Sequence, residues 1–212
     1  GEVFAVDSFS SITVDKAGRV WAGSTLGGLY YFNGISWKRA DILNDINSTF
    51  RDLMPSNIVG DSSIWAASSG NLISASTGGV FYIKPNGINL NSNNLIKGID
   101  FQITRYGTGN FGGLSSRLAS SLAMNNGFVY VGLERQSTTA EGGVFRMSML
   151  NPALPDSFSF TKVNLDIGAG ITYKVLGSRG NETWFGKNNY CSGTCVAGRI
   201  FRYGNSGSFI SP

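Results

Sequence analysis

The stretch Ile12-Thr-Val-Asp-Lys-Ala-Gly-Arg-Val-Trp21-Ala-Gly-Ser-Thr-Leu-Gly-Gly-Leu-Tyr-Tyr-Phe32-Asn-Gly34 alternates short apolar runs with turn chemistry. Ile12–Val14 runs into Asp15-Lys-Ala-Gly18, whose residues tolerate positive φ, and the chain reverses into Val20-Trp21-Ala-Gly. These runs are far too short for a helix and lack its 3.6-residue spacing. Gly27-Gly28 then opens an aromatic run at a point where a bare backbone can approach a neighbour. With the amphipathic Ser36-Trp-Lys-Arg39 behind it, the stretch predicts an antiparallel meander of strands a, b, c and d.

The same unit recurs along the chain. A second copy has Ile64-Trp65-Ala-Ala, Gly78-Gly-Val-Phe-Tyr-Ile83 and Phe101-Gln-Ile-Thr-Arg105. A third has Leu122 to Asn125, an Asn-Asn-Gly127 turn, Phe-Val-Tyr130-Val-Gly, Gly142-Gly-Val-Phe-Arg-Met147 and Phe160-Thr-Lys-Val163. A fourth has Tyr173-Lys-Val-Leu, a turn over Ser178 to Asn181, Glu182-Thr-Trp184-Phe-Gly and Gly198-Arg-Ile-Phe-Arg-Tyr203. The copies lie at about 11–39, 49–105, 118–163 and 171–210. Their spacing is that of propeller blades, about 40 to 50 residues each before insertions. The expected fold is therefore all-β and β-propeller-like, with about four blades of four-stranded antiparallel sheet. One such sheet cannot bury both faces, so Trp21, Trp65, Tyr130 and Trp184 are expected to pack between sheets rather than cage a ligand. Glu2–Val6 reads as another strand. The pattern fits either a closed four-bladed ring or part of a larger propeller.

Composition narrows the function. Only 14% of residues are charged against 42% hydrophobic, and the 29 glycines suit many strands and turns. The formal charge of +4 is spread over single or paired basic residues rather than gathered in a stripe, which argues against nucleic acid as a partner. No stretch is long and apolar enough to span a bilayer. Cys191 and Cys195 sit close enough to form a small disulfide ring in an oxidising compartment. A reduced pair or half a metal site are the alternatives, but the chain has no histidine and no second cysteine pair. No metal site or cofactor is therefore expected.

The run from Ile12 to Gly34 resembles the two-component regulator propeller repeat, in its Asp-x-x-Gly turn, its Trp-x-Gly-Thr strand and its Gly-Gly-Leu-Tyr strand. The likeness is good over residues 11–39 and looser beyond, where Ala67, Tyr130 and Arg199 replace the repeat's glycine, tryptophan and glycine. The resemblance implies a bacterial exported β-propeller. Such domains occur in periplasmic sensors of hybrid histidine kinases that respond to glycan breakdown products, and in surface proteins handled by the type IX secretion system. It carries over no catalytic residue.

The sequence offers little chemistry. Glu134 and Glu141 bracket the third b-to-c loop and could form a glycosidase-like pair in a polysaccharide-active enzyme, although two solvated loop carboxylates explain them as well. The serine pairs Ser10-Ser11, Ser62-Ser63, Ser115-Ser116 and Ser120-Ser121 have no histidine to activate them. Function is expected in loops, where the copies differ. Arg105, Tyr106, Arg135, Glu141, Lys187, Asn188 and Tyr190 are the candidate ligand-binding residues. The expected role is non-enzymatic recognition, outside the cytoplasm, of a glycan or a protein partner. The alternative is a structural module of an adhesin, filament or secretion-associated assembly, and the chain is expected to be part of a larger polypeptide or assembly.

Overall fold

A computed structural model describes residues 8–25, 28–32, 34–41, 49–70, 78–86, 95–96, 100–107, 113–116, 118–135, 142–148, 160–163, 172–188, 199–204 and 209–210. These residues form strands and turns throughout, and the chain divides into two compact units, Gly1–Thr104 and Arg105–Pro212.

In unit 1, β1 (Phe9–Val14), β2 (Val20–Ser24), β3 (Leu29–Phe32) and β4 (Trp37–Asp41) follow one another as an antiparallel meander. A second sheet takes β5 (Thr49–Pro55), β6 (Ile64–Gly70) and β7 (Gly79–Pro85). The Asn-rich insertion after β7, expected to be loop, contains β8 (Leu95–Ile96). It joins the first sheet parallel to β4 at Ala40 and Asp41, before β9 (Phe101–Tyr106) completes the second sheet. Unit 2 has one sheet of β10 (Ala119–Asn125), β11 (Phe128–Leu133), β12 (Gly143–Ser148) and β13 (Thr161–Lys162). Its other sheet is β14 (Thr172–Arg179), β15 (Glu182–Asn188), β16 (Arg199–Gly204) and β17 (Phe209–Ile210). The fold is thus all-β and propeller-like, four meanders with strands in the order a-b-c-d. Glu2–Val6 lies outside the described residues.

Hairpin chemistry behaves as the turn sequences require. Asn126 and Gly127 both have positive φ, +47° and +76°, the signs of a type I′ turn between β10 and β11. Gly180, at +58°, opens the two-residue turn between β14 and β15.

Packing divides the four aromatic strand-b positions into two roles. In unit 1, Trp21, Leu29, Tyr31 and Ala40 of the first sheet meet Phe50, Leu53, Ile64, Ala66, Phe81, Ile83 and Phe101 of the second. In unit 2, Ala123, Tyr130, Val144 and Val163 meet Val175, Phe185 and Tyr203. Burying each large side chain contributes about 1.5–3 kcal/mol. The first sheet of each unit therefore presents its strand-b aromatic, while the second receives it with the opposite face. Trp65 and Trp184 lie on the faces turned away from these cores. Trp65 is buried against the Tyr82 ring at 4.7 Å, and Trp184 is half-buried with the Arg202 guanidinium 5.9 Å from its ring centre.

The Trp-x-Gly glycine has a steric cause in unit 1. A Cβ on Gly23 would stand 2.7 Å from Ser11 Oγ and 2.8 Å from Phe50 Cβ, because β5 of the neighbouring sheet crosses directly over it.

Candidate functional site

Each meander has a hairpin end, at the a-to-b turn, and an opposite end where the b-to-c loop leaves. The hairpin ends are consumed by structure. Asp15, fully buried at its side chain, accepts from the backbone N–H of Ala17 and Arg19, from Arg19 Nε at 2.6 Å and from the Trp21 indole at 2.9 Å. One carboxylate thus closes the turn and anchors the indole. Lys16 and Arg19 reach across to the backbone carbonyls of Ile58 and Ser62, tying the turns of the two sheets together.

In the second sheet Asp61 takes the corresponding part. It accepts from Ser63 N and Oγ, and from the Tyr82 hydroxyl at 2.8 Å. Burial pushes the Asp61 carboxyl up, but hydrogen bonds from Ser56, Ser63 and Tyr82 outweigh it and hold the group below the usual carboxylate range. Burial, with Asp61 alongside, pushes the Tyr82 hydroxyl up to about 12. In unit 2 the buried Asn125 instead donates across the sheets to Thr183 Oγ1 at 3.1 Å.

The opposite ends start at a bulge. Strand a slips register at Ser10 in β1 and at Ser120 in β10, and each serine donates to the strand-b glycine carbonyl, Gly23 at 3.2 Å and Gly132 at 3.1 Å. Ser10 also bonds to Phe50 O, while the neighbouring Ser121 Oγ accepts from Val175 N at 2.7 Å. Ser63 serves Asp61, and Ser116 Oγ accepts from Leu118 N at 3.1 Å. Ser10, Ser120 and Ser121 thus fasten strands and sheets together, whereas Ser63 and Ser116 close local turns.

Beyond the bulges the two units differ. The loop end of unit 1 carries a hydroxyl ladder from sheet to sheet. Ser8 and Thr25 are 3.2 Å apart, Thr49 Oγ1 donates to Thr25 O at 2.6 Å, and Arg51 Nε donates to Ser69 at 3.3 Å. Sequence reasoning passed over these residues, although the Ser24-Thr25 step after Trp-x-Gly was their signal. In unit 2 the described residues at this end include the cations Arg135 and Lys187, with Glu134 beside Arg135. Arg135 is half-buried just past β11, where Glu134 N donates to Leu118 O at 2.8 Å. Lys187 is half-buried near the end of β15, directly opposite Arg199 in the ladder, with Asn188 following. Asn126 and Asn181 meet at the other end, which puts the Arg135 and Lys187 termini at one end of the unit.

The other candidates fall differently. Arg105 is half-buried beside Gly107. Tyr106 is buried, with its ring edge-on to Phe160 at 5.6 Å, so it serves packing rather than a contact surface. Glu141, Tyr190, Cys191 and Cys195 lie outside the described residues, and so does the carboxylate pair of Glu134 with Glu141. No disulfide and no cluster of metal-ligating side chains occurs among the described residues.

The sequence matches no protein family and no curated protein. The fold, however, has solved counterparts. The chain superposes over 96% of its length, with a TM-score of 0.62 and 12% identity, on PorZ, a surface component of the type-IX secretion system of Porphyromonas gingivalis. It also superposes over 99% of its length, with a TM-score of 0.55 and 13% identity, on the extracellular domain of BT4673 of B. thetaiotaomicron, assigned to a hybrid two-component system. Spanning only 27% and 22% of those chains, the protein is similar in fold to a part of each of these two bacterial proteins.

Proposed function

We propose that the chain is a non-enzymatic recognition module of the two-component regulator propeller type, working outside the cytoplasm. It binds a glycan-like ligand bearing acidic groups through the loop end of unit 2. The observation that carries this reading is the placing of Arg135 and Lys187 at strand ends on one end of unit 2, away from the Asn126–Asn181 contact at the other. An acidic ligand would make charge-assisted hydrogen bonds with these two side chains. Export is supported by the fold's extracellular and surface counterparts, and by the repeat resemblance around Trp21.

The test is a titration of the intact protein with uronic-acid-containing and neutral oligosaccharides of equal length. Acidic chains should bind, and Arg135→Glu with Lys187→Glu should weaken them about tenfold or more, with a matching loss of salt dependence. Equal affinity for neutral chains, or binding unaffected by both substitutions, overturns the assignment. The fold shared with a secretion-system surface component supports a second reading, in which the same end contacts a protein of an envelope assembly. Capture of an acidic envelope protein, with no glycan bound, would favour it.

A further inference from the structure

We propose that unit 2 binds a small carboxylic acid at its hairpin end, the acid group seated on the Arg146 guanidinium where the β10–β13 and β14–β17 sheets meet. Both units build this place from the same repeat and complete it differently. In unit 1 four donors converge on one carboxylate: the Ala17 and Arg19 N–H groups, Arg19 Nε and the Trp21 indole all end on Asp15. The hairpin supplies both cation and anion. Tyr31, opposite Trp21 on strand c, lies within the field of both.

In unit 2 the cation comes from another strand and meets no carboxylate among the described residues. The two-residue Asn126-Gly127 turn has no counterpart of Arg19, and Asn125 stands at the position of Asp15. Arg146 takes the Tyr31 position, opposite Tyr130. Its guanidinium lies 4.9 Å from the Phe128 ring centre and 5.8 Å from that of Tyr203 in the neighbouring sheet. It also donates to the Tyr130 hydroxyl. That oxygen accepts a second bond from Thr183, whose own oxygen accepts from Asn125 Nδ2 at 3.1 Å. Amide, hydroxyl and guanidinium thus all donate inward, and the network is rich in donors where unit 1 holds an anionic acceptor.

The surrounding charge has the same sign. The described carboxylates of unit 2 are Glu134, at the loop end, and Glu182, which Arg202 holds at 3.3 Å. Arg179, exposed where β14 enters its turn, adds a second cation at the hairpin end. Aromatic rings attract a guanidinium weakly, whereas its planar fork matches the two oxygens of one acid group. Arg146 and Phe128 are half-buried and Tyr130 and Tyr203 behind them are buried, so an acid approaches from the Phe128 side. Phe128 there offers an apolar body a ring beside the charge, which favours an aromatic monocarboxylate. The site lies at the opposite end of unit 2 from Arg135 and Lys187, so this assignment and the glycan reading can fail separately.

The test is an NMR titration of the 212-residue chain with benzoate at constant ionic strength, with uncharged benzamide as the control. The Arg146 Nε–H and the Phe128 backbone N–H should shift saturably with benzoate and not with benzamide. Arg146→Gln should weaken benzoate about tenfold or more, read at Phe128 N–H. If that variant melts early, Arg146→Lys, which keeps the charge and loses the fork, takes its place and should weaken benzoate about threefold or more. Arg135→Glu with Lys187→Glu should leave benzoate binding unchanged. Shifts that rise linearly without saturation, equal shifts with benzamide, or full affinity in the Arg146 variant overturn the proposal, as does loss of binding in the Arg135 and Lys187 variant.

Discussion

The β1–β2 and β10–β11 hairpins occupy the same place in the repeat and are closed by opposite chemistries. In unit 1 the turn from Asp15 to Arg19 is long enough to bring Arg19 back over Asp15, so a buried carboxylate is paid for by an ion pair, two backbone donors and the Trp21 indole. In unit 2 the two-residue Asn126-Gly127 turn closes on its own positive φ angles. Asn125, at the position of Asp15, is free to bridge to Thr183, and no charge is buried. Turn length decides whether this position clips its own hairpin or staples two sheets.

That contrast gives the largest expected effect. Asp15→Ala removes the carboxylate from Arg19 and Trp21 together and should destabilise unit 1 by about 3 kcal/mol, the range for breaking a buried charged network. Asn125→Ala loses one neutral bond and should cost about 1 kcal/mol. Urea unfolding of both variants, followed by tryptophan fluorescence, checks the ratio. Equal costs would mean that the charge does no more than the amide.

The strand-c glycines extend the comparison to backbone strain. Gly28 has φ of +94°, where a side chain is strained, whereas Gly143 is not among the positive-φ glycines, and Arg199 fills the fourth copy's position. Gly28→Ala should therefore cost about 1–2 kcal/mol. A Cβ on Gly143 would meet the Phe145 ring at 3.3 Å and the flexible Lys162 chain at 3.6 Å, so Gly143→Ala should stay within about 0.5 kcal/mol of wild type. Melting temperatures of the pair measure the difference, and a Gly143→Ala variant as damaged as Gly28→Ala would show that sterics rather than φ fixes the glycine.

Much of this fold was legible because its signals are local. Asp-x-x-Gly, Asn-Gly and Gly-Gly each name a turn or strand start, and the apolar runs fix strands to within a few residues. The direction in which each strand-b aromatic points was not legible. Trp21 and Trp65 stand in near-identical sequence, yet one faces its unit's core and the other faces away, because that depends on which neighbouring sheet lies on which side. The hidden strand β8 escaped for a similar reason, since Leu95-Ile96 is too short to carry a period and owes its state to the free edge of β4. For the candidate site, loop charge pointed to Arg135 and Lys187, but charge counting could not show that Lys187 and Arg199 face each other in register. It also placed Tyr106 on a surface, whereas an aromatic at the end of a strand packs wherever a partner such as Phe160 is offered.

A pH-dependent effect, smaller than that of Asp15→Ala, concerns Tyr82 and Asp61, the second sheet's answer to the Asp15 clip. Asp61 is held below its ordinary value in the folded chain, so its contribution is present above the unfolded carboxylate range and is lost as pH falls through the lowered value. Tyr82 runs the other way. Its hydroxyl ionises near 10.0 when unfolded and at about 12 when folded, so the folded state holds the extra proton between these values. Stability should be complete below pH 10 and should decline as pH rises towards about 12. Tyr82→Phe should cost about 1 kcal/mol at neutral pH, as the loss of one hydrogen bond. It should also flatten the decline above pH 10, and move the acid loss to higher pH because Asp61 has one donor fewer. The flattening should be partial, since burial raises Tyr31 and Tyr130 as well. Thermal melts of both proteins from pH 3 to 12 test both limbs, and an unchanged alkaline slope in Tyr82→Phe would assign that loss to Tyr31 and Tyr130 instead.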